Sequence, residues 1–180
     1  MEKPKYGSIL KKKQLKFKSN KQLENYYEKK YAGEGYSKGF ILFGINTSNI
    51  YHKARHDSSF ELLQPKKKDI ILDASCGGGD MTLRLAKKCL KIYEVDISKN
   101  AFIKAKKKAP KNAIFQKGNV ESLKFKNRFF DKIVSIETLE HVLHPDKMLK
   151  EFSRVLKQNG KLVMTYPTID QTIVAKIEKF

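Results

Sequence analysis

The chain has 180 residues, 40% of them hydrophobic, with a formal net charge of +19 and two cysteines, Cys76 and Cys89. That length suits one domain with a sizeable core, and no stretch approaches the roughly 18 consecutive apolar residues that span a bilayer. A basic N-terminus without an apolar core, and cysteines too few for a disulfide framework or metal knuckle, lead to the expectation of a soluble protein in a reducing cytoplasm.

The lead segment is densest in lysine at Lys11, Lys12, Lys13, Lys16 and Lys18, with Leu15 and Phe17 interleaved, and reads as an arm or docking strand. Only four of the 38 basic residues are arginines, Arg55, Arg84, Arg128 and Arg154, whereas phosphate and base recognition favours the guanidinium fork. The charge therefore has two readings, a lysine coat on an ordinary surface and a functional polyanion surface.

A helix is expected over KQLENYYEKKYA after the cap Ser19-Asn20. A glycine-broken loop, GEGYSKGF, follows, and then a second helix, SNIYHKARHDSSFELL, which ends at Pro65. From Asp69 the rhythm changes to alternating strands and helices. DIILDA is a strand, DMTLRLAKKCL a helix, KIYEVD a strand, and SKNAFIKAKKKA a helix capped by Ser98 and stopped by Pro110. NAIFQKG and FDKIVSIE are further strands. PDKMLKEFSRVLKQNG is a helix opened by proline and closed at Asn-Gly, and KLVMTYP is the fifth strand. The chain thus divides into a basic, helical lid segment, 1–65, and a doubly wound, mostly parallel α/β domain, 66–180.

Ligands of such sheets sit at the carboxyl ends of the strands, which is where IILDASCGGGD places three glycines. Phosphate chemistry does not fit. No Gly-Lys-Ser/Thr is present, and counting from Gly77 the third dinucleotide glycine falls on Thr82. Asp80 at the helix start would repel a pyrophosphate, and Asp73 adds a second negative charge. A ligand with a cationic amino acid end and no phosphate suits these acids, and S-adenosylmethionine is such a ligand.

Asp73-Ala74-Ser75-Cys76-Gly77-Gly78-Gly79 resembles the first motif of the class I S-adenosylmethionine-dependent methyltransferases, commonly written Leu-Asp-x-Gly-Cys-Gly-x-Gly. The resemblance, to UbiE/UbiG-like members of methyltransferase type 11, covers Asp69 to about Pro167 and implies a Rossmann-like fold. It implies cofactor contacts at Asp73, Ser75, Cys76, Gly77 and Gly79. Further contacts are implied at Asp96, which would accept from both ribose hydroxyls, and at Ile97, Asn119, Val120 and Ile136. Asn119 would meet the adenine amine and Val120 its ring. Two positions depart from the family pattern. Asn119 stands where aspartate is frequent but its oxygen still accepts, and Ser75 replaces a glycine, a change that a negative φ would accommodate.

The chemistry falls on ETLEHVLHPD. Glu137, Glu140, His141 and His144 would share one side of a helical turn. Such a pattern resembles ubiquinone-biosynthesis O-methyltransferases and also small-RNA 2′-O-methyltransferases, in which these side chains bind a divalent metal. Three readings stay open: a metal held by Glu137, Glu140 and His141; His141 as general base with Glu137 beside it; and a positioning role. His52 and His56 read as solvated, and Tyr26, Tyr27, Tyr31 and Tyr36 as a lid or as ordinary packing. The expected function is methyl transfer to a small-molecule acceptor at oxygen. The alternatives are an RNA methyltransferase and a catalytically silent cofactor-binding protein, and a homo-oligomer fits either enzyme. The sheet of this family continues beyond a fifth strand. Here the tail TIDQTIVAKIEKF reads as at most one helix, so the domain reads as truncated, with an exposed fifth strand.

Overall fold

The computed structural model describes residues 17–32, 41–42, 45–75, 77–107, 109–167 and 172–177. The lysine cluster up to Lys16, the loop GEGYSKGF with Tyr36, and Cys76 lie outside the described residues. In chain order the elements are α1 (Asn20–Ala32), β1 (Ile41–Leu42), β2 (Ile45–Asn46), α2 (Thr47–Leu63), β3 (Ile70–Ala74), α3 (Asp80–Ala86) and β4 (Lys91–Asp96). They continue as α4 (Lys99–Lys106), β5 (Ala113–Lys117), β6 (Phe130–Ile136), α5 (Pro145–Val155), β7 (Leu156–Pro167) and β8 (Thr172–Ile177).

The main sheet has the order β5-β4-β3-β6-β7-β8. Its first five strands are parallel and β8 runs antiparallel to β7. A Rossmann-like α/β sheet is thus what the alternation predicted. Side chains alternate across the strands, so each sheet face buries its own apolar set. On one face Ile71, Ile92, Val134 and Val163 meet Leu63 at the end of α2 and Met81 and Leu85 of α3. On the other, Leu72, Ile133 and Leu162 meet Phe130 and the Met148 and Phe152 of α5. The second helix of the N-terminal segment is therefore part of the domain core.

Two expectations are corrected. The fifth helix stops at Val155 instead of running to Asn-Gly, because Leu156 is already extended and pairs with Phe130. Backbone bonds from Arg128 N to Arg154 O and from Phe129 N to Val155 O, together with the Arg154 guanidinium donating to Leu123 O and Phe125 O, pull the chain into the sheet there. Asn159 then turns at φ 64, and Gly160 is needed because a Cβ would meet Leu156 at 2.7 Å and Lys157 O at 2.8 Å. The described part of the tail is a strand, not a helix. Thr172–Ile177 pairs along Leu162–Pro167, so β7 is internal and its ladder groups on that side are satisfied. A β-branched run, TIV, favours this strand.

Phe152 is fully buried between α5 and the sheet. Phe152→Ala should lower unfolding free energy by about 3–5 kcal/mol in urea titrations without changing the slope with denaturant, as large-to-small core truncations do.

Candidate functional site

The carboxyl ends of β3, β4 and β6 and the turn after β5 converge on one cleft. At its base Asp96 ends β4, 4% exposed. Its Oδ2 accepts from Gly77 N (3.2 Å) and its Oδ1 from Ser98 N (2.9 Å), while its backbone carbonyl accepts from Gly118 N (2.9 Å). One acid thus ties together the glycine loop, the start of α4 and the β5 turn. Ser75 and Ile97 line the cleft beside it, and Gly118, Asn119 and Val120 form the facing wall.

The glycine loop works through backbone geometry. Gly77 (φ 57) and Gly79 (φ 79) are left-handed, and Gly79 caps α3 with no side-chain bond. Ser75 is left-handed too, at φ 63, which corrects the expectation of a negative angle there. The turn keeps the geometry that the family's glycine allows, and serine bears the strain. Asp73 does not line the cleft. Its side chain lies beneath the loop and accepts from Thr82 Oγ1 at 2.6 Å, which pins β3 to α3. Asn119 Oδ1 accepts from Glu121 N at 2.8 Å in a turn closed by Ser122 N to Asn119 O. A second lone pair of that oxygen remains for a ligand donor. Ile136 packs against the core and also stays out of the cleft.

Helix α1 lies over the opening. Its Leu23, Tyr27 and Tyr31 line the cleft, and Tyr27 meets the His141 ring edge-on at 5.8 Å between centroids. Tyr26 faces Phe17 instead. Glu28 reaches across to α4, accepting from Ser98 Oγ (2.9 Å), Lys99 N (3.0 Å) and Asn100 N (3.3 Å). The cap of α4 is therefore a carboxylate from 70 residues earlier. Ser98, expected to cap this helix, donates its hydroxyl to Glu28. Lys117 adds an ion pair to Glu24 at 2.5 Å.

After β6 the chain makes irregular turns, with His141 N bonded to Thr138 O, so Glu137, Glu140, His141 and His144 do not share a helical face. Glu137 is left-handed at φ 52, and its N–H donates to both oxygens of Thr165 (3.0 and 3.1 Å). Its carboxylate pairs with Arg55 of α2 at 2.8 Å, and Arg55 also contacts His52 Nδ1 at 2.8 Å. Glu140 lies 3.8 Å from His141 Nε2. Among the described residues no three His, Cys, Asp or Glu side chains are grouped to hold a metal ion. The metal set Glu137, Glu140 and His141 is thus corrected, since an arginine occupies the first of these carboxylates. Glu137, Thr138 and His141 do line the cleft; Glu140 and His144 do not.

Burial dominates the electrostatics. It pushes the Asp73 carboxyl up to about 7 and that of Asp96 up to about 6. It also drives the His141 imidazole down to about 4, helped by Lys30 nearby, so the ring is neutral across the physiological range. His141 Nδ1 is buried with no hydrogen-bond partner. His52 and His56, read as solvated, are half-buried and lowered by burial, and feel the Asp80 charge.

Sequence reasoning missed Glu28, Arg55 and Glu121. Glu121 accepts from Leu143 N and His144 N and so holds the β6 loop against the β5 turn. No local pattern marks these residues, because the partners they hold at the site are 22 to 82 positions away.

Residues 72–164 match the methyltransferase domain family, and the chain belongs to it. It is similar to the ubiquinone/menaquinone biosynthesis C-methyltransferase UbiE of Zymomonas mobilis, 33% identical over 68% of this chain and 52% of that protein. It is also similar to a ubiquinone biosynthesis O-methyltransferase of Pelagibacter ubique, 34% identical over 61% of this chain and 46% of the relative. Among solved structures, phosphoethanolamine N-methyltransferase 1 of Haemonchus contortus, in complex with phosphoethanolamine and S-adenosylhomocysteine, shares the fold. Its TM-score is 0.68 at 13% identity, over 82% of this chain and 32% of that one. The chain spans about half the length of the curated relatives it matches. Family membership implies S-adenosylmethionine as cofactor, and the lining agrees with it in its buried acid, Asp96, and its apolar walls, while Gly77 and Gly79 shape the loop without lining the cleft.

Ser75→Gly should relieve the left-handed strain, raising stability by about 0.5–1 kcal/mol in denaturant titrations after the entropy of the added glycine is counted. An unchanged or lower stability would show that the angle is unstrained. The pH dependence follows from the two raised carboxyls. Both stand above an unfolded aspartate near 3.9, so the folded chain keeps protons that the unfolded chain has released. That share of stability is full below about pH 4 and lost as pH rises through 6 to 7. The depressed imidazoles of His141, His52 and His56 work in the opposite sense until the unfolded histidines are deprotonated, about one unit above 6.5. The histidine share cancels between wild type and Asp73→Asn, so without cofactor the melting temperature of wild type relative to that variant should fall as pH rises from about 4.5 to 7 and level off above about 8; a difference that stays constant over this range contradicts it.

Proposed function

We propose that the chain is an S-adenosylmethionine-dependent methyltransferase acting on a small-molecule acceptor at an oxygen atom. The observation that carries the reading is the single cleft in which Asp96, the glycine-loop residue Ser75, the Asn119 turn and His141 meet under α1. Asp96 would take the ribose hydroxyls, Ile97 and Val120 the faces of the adenine, and Asn119 an adenine donor. The aromatic faces of Tyr27 and Tyr31 suit a cationic centre. When bound, the cofactor supplies a methyl group made electrophilic by its sulfonium.

For the chain's own residues the task is alignment and exclusion of water. Neutral His141, with an unpartnered Nδ1 at the cleft, would accept a hydrogen bond from an acceptor hydroxyl and hold its oxygen in line. A conjugate acid near 4 is too strong for His141 to take a proton fully from an alcohol, so His141 orients the nucleophile more than it deprotonates it. Acidic hydroxyls, phenolic ones above all, suit such a partner. Arg55 fixes Glu137 at the rim and keeps its charge off the acceptor oxygen. No metal enters this proposal, because that ion pair takes the carboxylate a metal would need.

Calorimetry tests the cofactor half. S-adenosylhomocysteine should bind, and NAD and ATP should not bind comparably. Asp96→Ala should weaken the binding by roughly 1.5–3 kcal/mol, the loss of a charged acceptor. His141→Ala should leave that affinity nearly intact yet lower methyl transfer to a phenolic acceptor by about 10²-fold, as expected for a group used in the transition state. Tighter NAD binding, or an unchanged constant in a folded Asp96→Ala variant, overturns the reading.

A further inference from the structure

The two ends of the parallel sheet differ in charge. Acids and bases mix at the cleft end, where Asp80, Asp96, Glu121, Glu137 and Glu140 stand with Lys30, Arg55, Lys99 and Lys117, and Glu137 and Glu24 engage Arg55 and Lys117. At the other end every connection leading into a parallel strand is basic. The sequences are PKKKD before β3, KKCLK before β4, KKKAPK before β5, KFKNR before β6 and KQNGK within β7. The acids beside them are already neutralised. Asp69 pairs with Lys132 at 2.7 Å and Asp131 with Lys157 at 2.7 Å. Glu151, near the same end of α5, is held by Arg154.

These loops form a fixed row. Leu90 N donates to Asp69 O, Lys67 Nζ to Lys87 O, and the Asn112 amide to Ala86 O and Cys89 O. With strands spaced about 4.8 Å apart, five strand ends make a front about 19 Å wide. Before β4, the second strand of this row, Leu90, 59% exposed, projects between the exposed Lys87 and Lys88 and the half-buried Lys91.

We propose that this end of the sheet docks on an anionic phospholipid bilayer. Lysine ammonium groups around an exposed leucine provide what a lipid surface rewards, diffuse attraction to headgroups and one apolar residue for the acyl boundary. A nucleic acid is less well served. Of the two arginines at this face Arg154 is held by Glu151 and backbone carbonyls, which leaves Arg128, and the phenylalanines, Phe125 and Phe129, are packed with Tyr93 and Phe130 instead of offering faces to bases. The cleft lies at the opposite ends of the same strands, so a molecule docked by this face keeps the cleft turned away from the lipid and open to solvent.

The test is sedimentation of the full chain with vesicles of phosphatidylcholine alone or with roughly one-third phosphatidylserine, at roughly 0.05 M and 0.3 M salt, where screening differs strongly. Phosphatidylserine should tighten binding by about tenfold or more, and the higher salt should release the protein. The triple variant K68E/K87E/K88E should lose at least about tenfold in affinity, whereas K29E/K147E/K150E, an equal charge change elsewhere, should lose no more than about threefold. Leu90→Ser should weaken binding several-fold with the charge unchanged. Circular dichroism and S-adenosylhomocysteine binding confirm that each variant is folded, and the wild-type lipid and salt dependence stands as evidence if a triple variant fails. No preference for phosphatidylserine overturns the proposal. So does equal loss in the two triple variants, or retention on RNA at a salt concentration that releases the vesicles.

Discussion

A single buried carboxylate organises the functional end of this molecule. Asp96 is taken out of water at the end of β4 and compensated by backbone, with amides from the glycine loop and from the start of α4 on its two oxygens. Burial raises its pKa all the same, because two neutral donors replace only part of a carboxylate's hydration. The remaining lone pairs face the cleft, where hydroxyl donors of a ligand complete the set. The loops are thus positioned by a group that is itself under-satisfied until something binds.

The same economy recurs around it. Ser75 and Glu137 hold left-handed angles without being glycine, and Asp73 is fully buried with one hydroxyl donor. Glu28 of α1 adds a third acid close to Asp96, among the charges that raise the Asp96 carboxyl. The two left-handed residues lie in loops that close on the cleft, Asp73 sits in β3 beneath them, and Glu28 reaches the start of α4 from α1. Elsewhere the two apolar faces of the sheet and the Arg154 tether follow ordinary packing rules. Left-handed angles also occur away from the cleft, at Gln64, Arg128 and Asn159, so what sets the cleft apart is the pairing of such angles with buried acids.

Much of this was legible in the sequence because it depends on local periodicity. The apolar runs IIL and KIVSI, the turn residues between them and the glycine triplet fix strands, crossovers and the position of the cleft, and with them Asp96, Ile97, Asn119 and Val120. What failed was non-local. The Asn-Gly pair at 159–160 looks like a helix stop, yet the helix ends earlier because Phe129 and Phe130 recruit Val155 and Leu156 into the ladder. ETLEHVLH has helical spacing, yet Thr165 and Glu121 bind its backbone into turns and scatter the proposed ligand set. The tail became a strand because β7 offers a free edge, a fact of topology that no window of residues contains.

The division between cofactor and acceptor follows from the same physics. The cofactor-facing elements, βα loops of neighbouring parallel strands, are spaced by the sheet itself, so any sequence that forms the sheet places them alike. The acceptor side is assembled from α1, α2 and the β6 turns, whose arrangement rests on a few pairs such as Arg55–Glu137 and Glu28 with α4. Proteins similar to this chain are named as methyltransferases of carbon, of oxygen and, for a shared fold, of nitrogen. One sheet can serve all three because the atom that receives the methyl group is chosen by the elements the sheet does not dictate. In this chain those elements set a neutral imidazole and an arginine-bound carboxylate beside the cleft, and the oxygen acceptor proposed above rests on that pair more than on the fold.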